Sequence, residues 1–303
     1  MISARASLLI ARSRLQRDKR FYADAAAMRA DLDAHQDPAR TRPPRSVARR
    51  VRIERQDIDG HAAYTLSPRA GVRSDLHVVH LHGGGFVEQP EPHHWRFAQQ
   101  IATAWGCRFT LFMYPLAPAH DFAEISATTR HAYRVLTADT PPGRAVLFGD
   151  SAGGSLSLGI AQELRDRGEA QPACICLFSP WLDLATDHEL SVLIDRHDPK
   201  LGIEGLQQAG RWYANGRDLH DPEISPQDAD LSGIADIIVF VGTRDLLLPD
   251  ALHLRARARD AGGRVDLHLA DGMFHNWIMM PIPEARPARE QLSRFVVEHT
   301  SGD

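Results

Sequence analysis

The chain is predicted to be an α/β protein, a mostly parallel sheet with helices on both faces. Three observations predict it. Short apolar runs alternate with stretches of helical periodicity from residue 76 onward. A hairpin-like pair of alternating segments precedes them. The pentapeptide Gly149-Asp150-Ser151-Ala152-Gly153 then sits between a buried-strand run and a helix.

In chain order, residues 5–36 favour helix, being rich in alanine, arginine and leucine, with a break expected near Lys19–Tyr22. Residues 1–20 are Arg-rich and read as a basic amphipathic helix covering part of the protein. Pro38–Ser46, with Pro43-Pro44, reads as a linker. Val51–Arg55 and Ala62–Leu66 flank Asp59-Gly60, a hairpin signal. The remaining strands are expected at Leu76–His82, Arg108–Met113, Ala145–Phe148, Ala173–Phe178, Ile237–Val241 and Val265–Leu269, making eight. Helices are expected over 93–105, 123–138, 154–164, 250–261 and 284–299. Residues 185–230 interrupt the alternation with polar, helix-prone sequence, an insertion expected over the C-terminal strand ends.

Composition excludes several function classes. A formal net charge of -4 on 303 residues gives no basis for nucleic acid or an anionic membrane as partner. No stretch is long and apolar enough to span a bilayer, so no stable membrane anchor is expected. The three cysteines, Cys107, Cys174 and Cys176, form no disulfide framework, which favours a reducing, cytoplasmic setting. Cys174 and Cys176 alternate on one face of a strand.

The chemistry centres on Ser151. Gly-x-Ser-x-Gly between strand and helix is a nucleophile elbow: the serine occupies a strained turn, and the glycines remove Cβ atoms that would collide with neighbouring backbone. His82-Gly83-Gly84-Gly85-Phe86 follows the first parallel strand and lets backbone N–H groups turn toward a ligand. Gly84 and Gly85, with Ala152 after the serine, are the favoured oxyanion donors, and Gly83 is the weaker candidate. A phosphate-cradling loop fits poorly, because no Lys-Ser/Thr follows and Gly-x-Gly-x-x-Gly spacing is missing. Asp245, after the strand ending at Val241, and His275, in the loop after the last strand, complete the order Ser…Asp…His. Asp250 is assigned to capping the next helix, and His93-His94 to a helix start. His80 and His82 share a strand face but lack a third ligand at metal spacing, so neither metal nor cofactor is expected.

These motifs resemble the hormone-sensitive-lipase-like branch of the α/β-hydrolases, the bacterial carboxylesterases. The resemblance rests on His82-Gly83-Gly84-Gly85, Gly149-Asp150-Ser151-Ala152-Gly153-Gly154, Gly242-Thr243-Arg244-Asp245 and Gly272-Met273-Phe274-His275. Tyr114–His120 and Ser179–Leu184 fit it too, so it spans about residues 76–278. Ala119 departs from a common glutamate, and Asp250 follows Asp245 by five residues instead of four. The resemblance implies a helical cap from residues 1–45 and an insertion at about 185–225, within a catalytic domain of 46–303. It also implies cofactor-independent serine hydrolysis of short to medium acyl esters, and a homodimer built edge to edge. Phe86, Trp181, Trp212 and Tyr213 are candidate walls of an apolar substrate pocket. A lactone or an amide could be turned over by the same triad. A hydrolase-fold protein that only binds its ligand would typically lack a triad member, and all three stand here.

Overall fold

The protein is described by a computed structural model over residues 2–16, 18–37 and 42–301; residues 38–41 of the expected linker lie outside it. The eight expected strands form one sheet in the order β1-β2-β4-β3-β5-β6-β7-β8. β1 (Val51–Ile58) and β2 (His61–Pro68) form the antiparallel hairpin around Asp59-Gly60, and β2 pairs antiparallel with β4 (Arg108–Phe112). From β4 the sheet is parallel through β3 (His77–Leu81), β5 (Ala145–Asp150), β6 (Cys174–Phe178), β7 (Ile237–Gly242) and β8 (Val265–Ala270).

Strand alternation sorts the core into two faces. Val78, Val146, Phe148, Cys174, Cys176, Phe178, Ile238 and Phe240 join one cluster with residues of α4 (Pro92–Trp105) and α10 (Ala285–Thr300). Val79, Leu81 and Leu147 face α5 (Phe122–Thr137) and α6 (Ala152–Asp166). Ile175, Leu177 and Val239 face α9 (Leu248–Asp260) on that same side. Every residue of β3, β6 and β7 is buried, as strands covered on both faces must be.

The chain leaves β3 toward β4 on one side and returns to β5 on the other. The C-terminal ends of β3 and β5 therefore flank a topological switch point, where an open α/β sheet leaves a crevice. The N-terminal helices run beside this edge. α1 (Ala4–Gln16) buries Ala6, Ile10 and Ser13, one stripe of a helix, and a short 3₁₀ turn (Asp18–Arg20) follows. α2 (Ala25–Gln36) starts at Asp24, whose side chain accepts the Ala27 N–H at 2.7 Å. After a single turn, α3 (Arg45–Ala48), the hairpin begins. The insertion after β6 forms α7 (Glu189–Asp195) and α8 (Ile203–Ala214); α2 packs on α8, and the Gly205 N–H donates to the Tyr22 carbonyl. Among the described residues, no helix is long and apolar enough to cross a membrane.

Candidate active site

Ser151 occupies the turn from β5 into α6 with φ of 51° and ψ of -123°, a left-handed conformation that a non-glycine residue adopts only under constraint. The constraint is packing around the turn. A Cβ on Gly153 would lie 1.9 Å from the Leu81 carbonyl oxygen, so only glycine lets α6 start against β3. The Ser151 N–H donates to the Phe178 carbonyl, and the Ser151 carbonyl accepts from Gly154 and Trp181.

The glycine loop lies beside the serine. A Cβ on Gly83 would stand 2.8 Å from Ser151 Cβ and 2.4 Å from an Asp150 carboxylate oxygen. His82 holds this loop from behind: its Nδ1 donates to the Gly83 carbonyl at 2.7 Å, and its ring stacks on Tyr114 at 4.3 Å. Burial, first, and the neighbouring His94 push the His82 imidazole down to about 3, which keeps it neutral. Among the described residues, the N–H groups of Gly83, Gly84, Gly85 and Ala152 have no protein acceptor. Gly83 and Gly84 line the cavity that contains Ser151, whereas Gly85 faces the Tyr22 ring. Of the glycines expected as oxyanion donors, Gly83 and Gly84 thus border the cavity of Ser151.

Asp245 is fully buried in the loop after β7, and His275 is 6 % exposed in the loop after β8. His275 Nδ1 donates to Asp245 Oδ1 at 3.2 Å, leaving Nε2 as the basic nitrogen. Burial opposes the protonated imidazole, but the Asp245 charge and hydrogen bond outweigh it, and the His275 pKa is raised. Ser151 and His275 line one cavity of about 290 Å³; among the described residues they share no direct hydrogen bond, a looseness common before substrate binds. A larger and more open groove of about 840 Å³ runs between α1 and the α7–α8 turn and holds none of these three residues.

Behind the serine lies a network that the sequence reading missed. The buried Asp150 carboxylate accepts from His80 Nε2 at 2.8 Å, His94 Nε2 at 3.2 Å and Asn276 Nδ2 at 2.6 Å. Burial pushes this carboxyl up, but His94 and His80 outweigh it and hold it well below the usual carboxylate range. His94 Nδ1 accepts the Glu91 N–H at 2.9 Å, which fixes the ring so that Nε2 points its hydrogen at Asp150. One carboxylate thus joins the elbow, β3, the start of α4 and the residue after His275. The available signal was the position of Asp150 inside the pentapeptide and of Asn276 beside the histidine. His80 serves this network, and no metal-type cluster occurs among the described residues. Asp250 lies inside α9 instead of capping it, and its Oδ2 accepts the N–H groups of Leu182 and Asp183.

The four aromatic candidates stand apart from this cavity. Phe86 and Tyr213 stack at 3.8 Å, Trp181 packs 5.5 Å from Phe86, and all three are buried core. Trp212 is half-buried beneath the Arg29 guanidinium at 5.2 Å. The walls around Ser151 are instead mostly polar, with Glu88, Glu91, His35, His93 and Lys200 beside Phe21, Tyr22 and Leu201.

A Ser-His-Asp set at the switch point of such a sheet is the arrangement of a hydrolase with this fold. The family model described as alpha/beta hydrolase fold matches residues 78–279, and the chain belongs to that family, in its hormone-sensitive-lipase-like branch. It is 31% identical over 223 residues to an esterase of Acinetobacter venetianus, covering 72% of this chain and 73% of that one. It is also 31% identical to an acetyl-hydrolase of Streptomyces hygroscopicus, over 72% of this chain and 74% of that one. A solved esterase of the bacterial hormone-sensitive lipase family superposes with a TM-score of 0.82 at 29% identity, covering 99% of this chain and 100% of that one. The protein is a carboxylic ester hydrolase.

Proposed function

We propose that this protein is a serine carboxylesterase that cleaves short-chain acyl esters through an acyl-enzyme intermediate. His275 Nε2 takes the proton of Ser151 Oγ as the oxygen attacks the ester carbonyl. The N–H groups of Gly83, Gly84 and Ala152 receive the oxyanion, each worth roughly 3 kcal/mol of barrier in sites where one has been removed. His275 then protonates the departing alcohol and activates the water that releases the acid. Asp245 holds the imidazole in the required tautomer and stabilises its charged form. The observation that carries this reading is one cavity shared by a strained Ser151, a His275 held by buried Asp245, and unsatisfied backbone donors.

The acyl side is read as short because the cavity around Ser151 holds about 290 Å³ and its walls are mostly polar, and the acetyl-hydrolase relative agrees with that size. The segments 1–45 and 185–225 act as the cap, supported by the α2–α8 packing and by Tyr22, Lys200 and Leu201 in the cavity wall. Exposed Leu269 on the edge strand β8 and Val297 on α10 support a homodimer through that edge. The test is hydrolysis of p-nitrophenyl acetate, butyrate and octanoate by the native chain and by Ser151→Ala. The reading expects acetate and butyrate to be turned over, octanoate poorly, and the variant to fall several powers of ten. Equal trace rates from both proteins would remove Ser151 from the chemistry.

A further inference from the structure

A second buried carboxylate stands behind the triad, supplied by the insertion and not by the sheet. Asp198, 3 % exposed, lies in the turn between α7 and α8. Its Oδ2 accepts the N–H of Leu246, the residue next to Asp245, at 2.8 Å. Its Oδ1 accepts the N–H groups of Lys200 at 2.7 Å and Leu201 at 2.9 Å, and both residues line the substrate cavity. With both oxygens accepting N–H donors, the geometry suits the ionised carboxylate.

We propose that Asp198 is a positioning residue for the hydrolysis. It clamps the Asp245 loop to the Lys200–Leu201 wall of the cavity and places a second negative charge behind the His275 imidazole. The proposal rests on the triad reading above. Asp245 and His275 face Asp198 from the loops after β7 and β8, and from its own turn Lys200 donates its backbone N–H to it while the Lys200 charge acts on His275. On the solvent side, Arg14, Lys19, Arg20, Asp195, Arg196 and Glu204 border the open groove, exposed or half-exposed and therefore screened. Burial, first, and the Asp245 charge push the Asp198 carboxyl up to about 6. Above that pH it is ionised, and its charge helps to raise the His275 pKa. Positioning and charge act together: the same carboxylate that sets the loop favours the imidazolium formed when Ser151 gives up its proton.

The experiment is the pH profile of kcat/KM on p-nitrophenyl acetate for the native enzyme, Asp198→Asn and Lys200→Gln. Hydrolysis needs neutral His275, so activity falls as pH drops through the histidine pKa. Removing the Asp198 charge lowers that pKa, so the acid limb of Asp198→Asn moves to lower pH while its plateau kcat falls, by up to about a hundredfold for a displaced triad loop. Lys200 opposes the imidazolium, and Lys200→Gln moves the limb the other way, to higher pH. Asp198→Ser, which removes the same charge with a smaller side chain and is expected to move the acid limb in the same direction, keeps the test open if Asp198→Asn fails to fold. A plateau loss with an unmoved acid limb would reduce Asp198 to a structural contact and overturn the proposal. So would limbs that shift in one direction for the Asp198 variant and Lys200→Gln. If Ser151→Ala abolishes turnover while neither limb moves, this inference fails and the esterase reading survives; if Ser151→Ala retains the native rate, the reading beneath it fails first.

Discussion

At the C-terminal edge of the sheet, Ser151, Asp245 and His275 stand on short loops set by backbone hydrogen bonds and by glycines that permit close approach. The helices that face them are held differently, mainly by side chains that reach across. Tyr22 and His35 bond to Glu88, Lys19 pairs with Asp195, and Asp198 gathers backbone donors from two segments. The sheet edge is a rigid platform, because moving one of its loops means breaking a strand end. The helical side is a set of separable contacts, which can be changed without unfolding the platform. The comparison teaches where sensitivity to mutation should fall: reaction steps on the platform, cavity shape and tuning on the helices.

The largest effect expected from a platform change short of the nucleophile itself is Asp245→Asn. It keeps the shape but exchanges a charge acceptor for an amide, and a loss of about 10⁴ in kcat is expected. Single-turnover kinetics with an unchanged far-UV spectrum would check it. Next comes Asp150→Ala, which strips the buried donors on His80, His94 and Asn276 of their acceptor. A stability loss of about 3–5 kcal/mol in urea unfolding is expected. Gly153→Ala is smaller, because a Cβ near the Leu81 carbonyl forces α6 to shift, at a cost of about 1–3 kcal/mol by the same assay. Smallest is Lys19→Ala on the helical side, where a half-exposed ion pair contributes less than about 1 kcal/mol. If Lys19→Ala destabilised as much as Asp150→Ala, the contrast between platform and helices would be wrong.

The platform was legible in the sequence because its signals are local. Gly-x-Ser-x-Gly, the triple glycine and the strand-end positions of Asp245 and His275 are each set by neighbours in the chain, and the structure brings all of them to one edge. The eight strands were legible for the same reason, since buried parallel strands are continuous apolar runs. What escaped depends on distant partners. Phe86 and Tyr213 are 127 positions apart yet stack, which turns an expected pocket wall into core. Asp198 sits 48 residues from Leu246, and nothing in its own surroundings marks it as facing the triad. Asp250 looked like a cap because acids before helices usually are, but the demand of two loop N–H groups outweighed that preference.

The central claim is that Ser151 is the residue acylated during turnover. Its most direct test is a rapid acid quench of the native enzyme with p-nitrophenyl acetate, followed by mass analysis of the peptide that carries Ser151. The account predicts one added acetyl group on that peptide, a matching burst of p-nitrophenol, and neither in Ser151→Ala. Steady turnover with an acetyl group on another residue, or a burst that survives in Ser151→Ala, would contradict it.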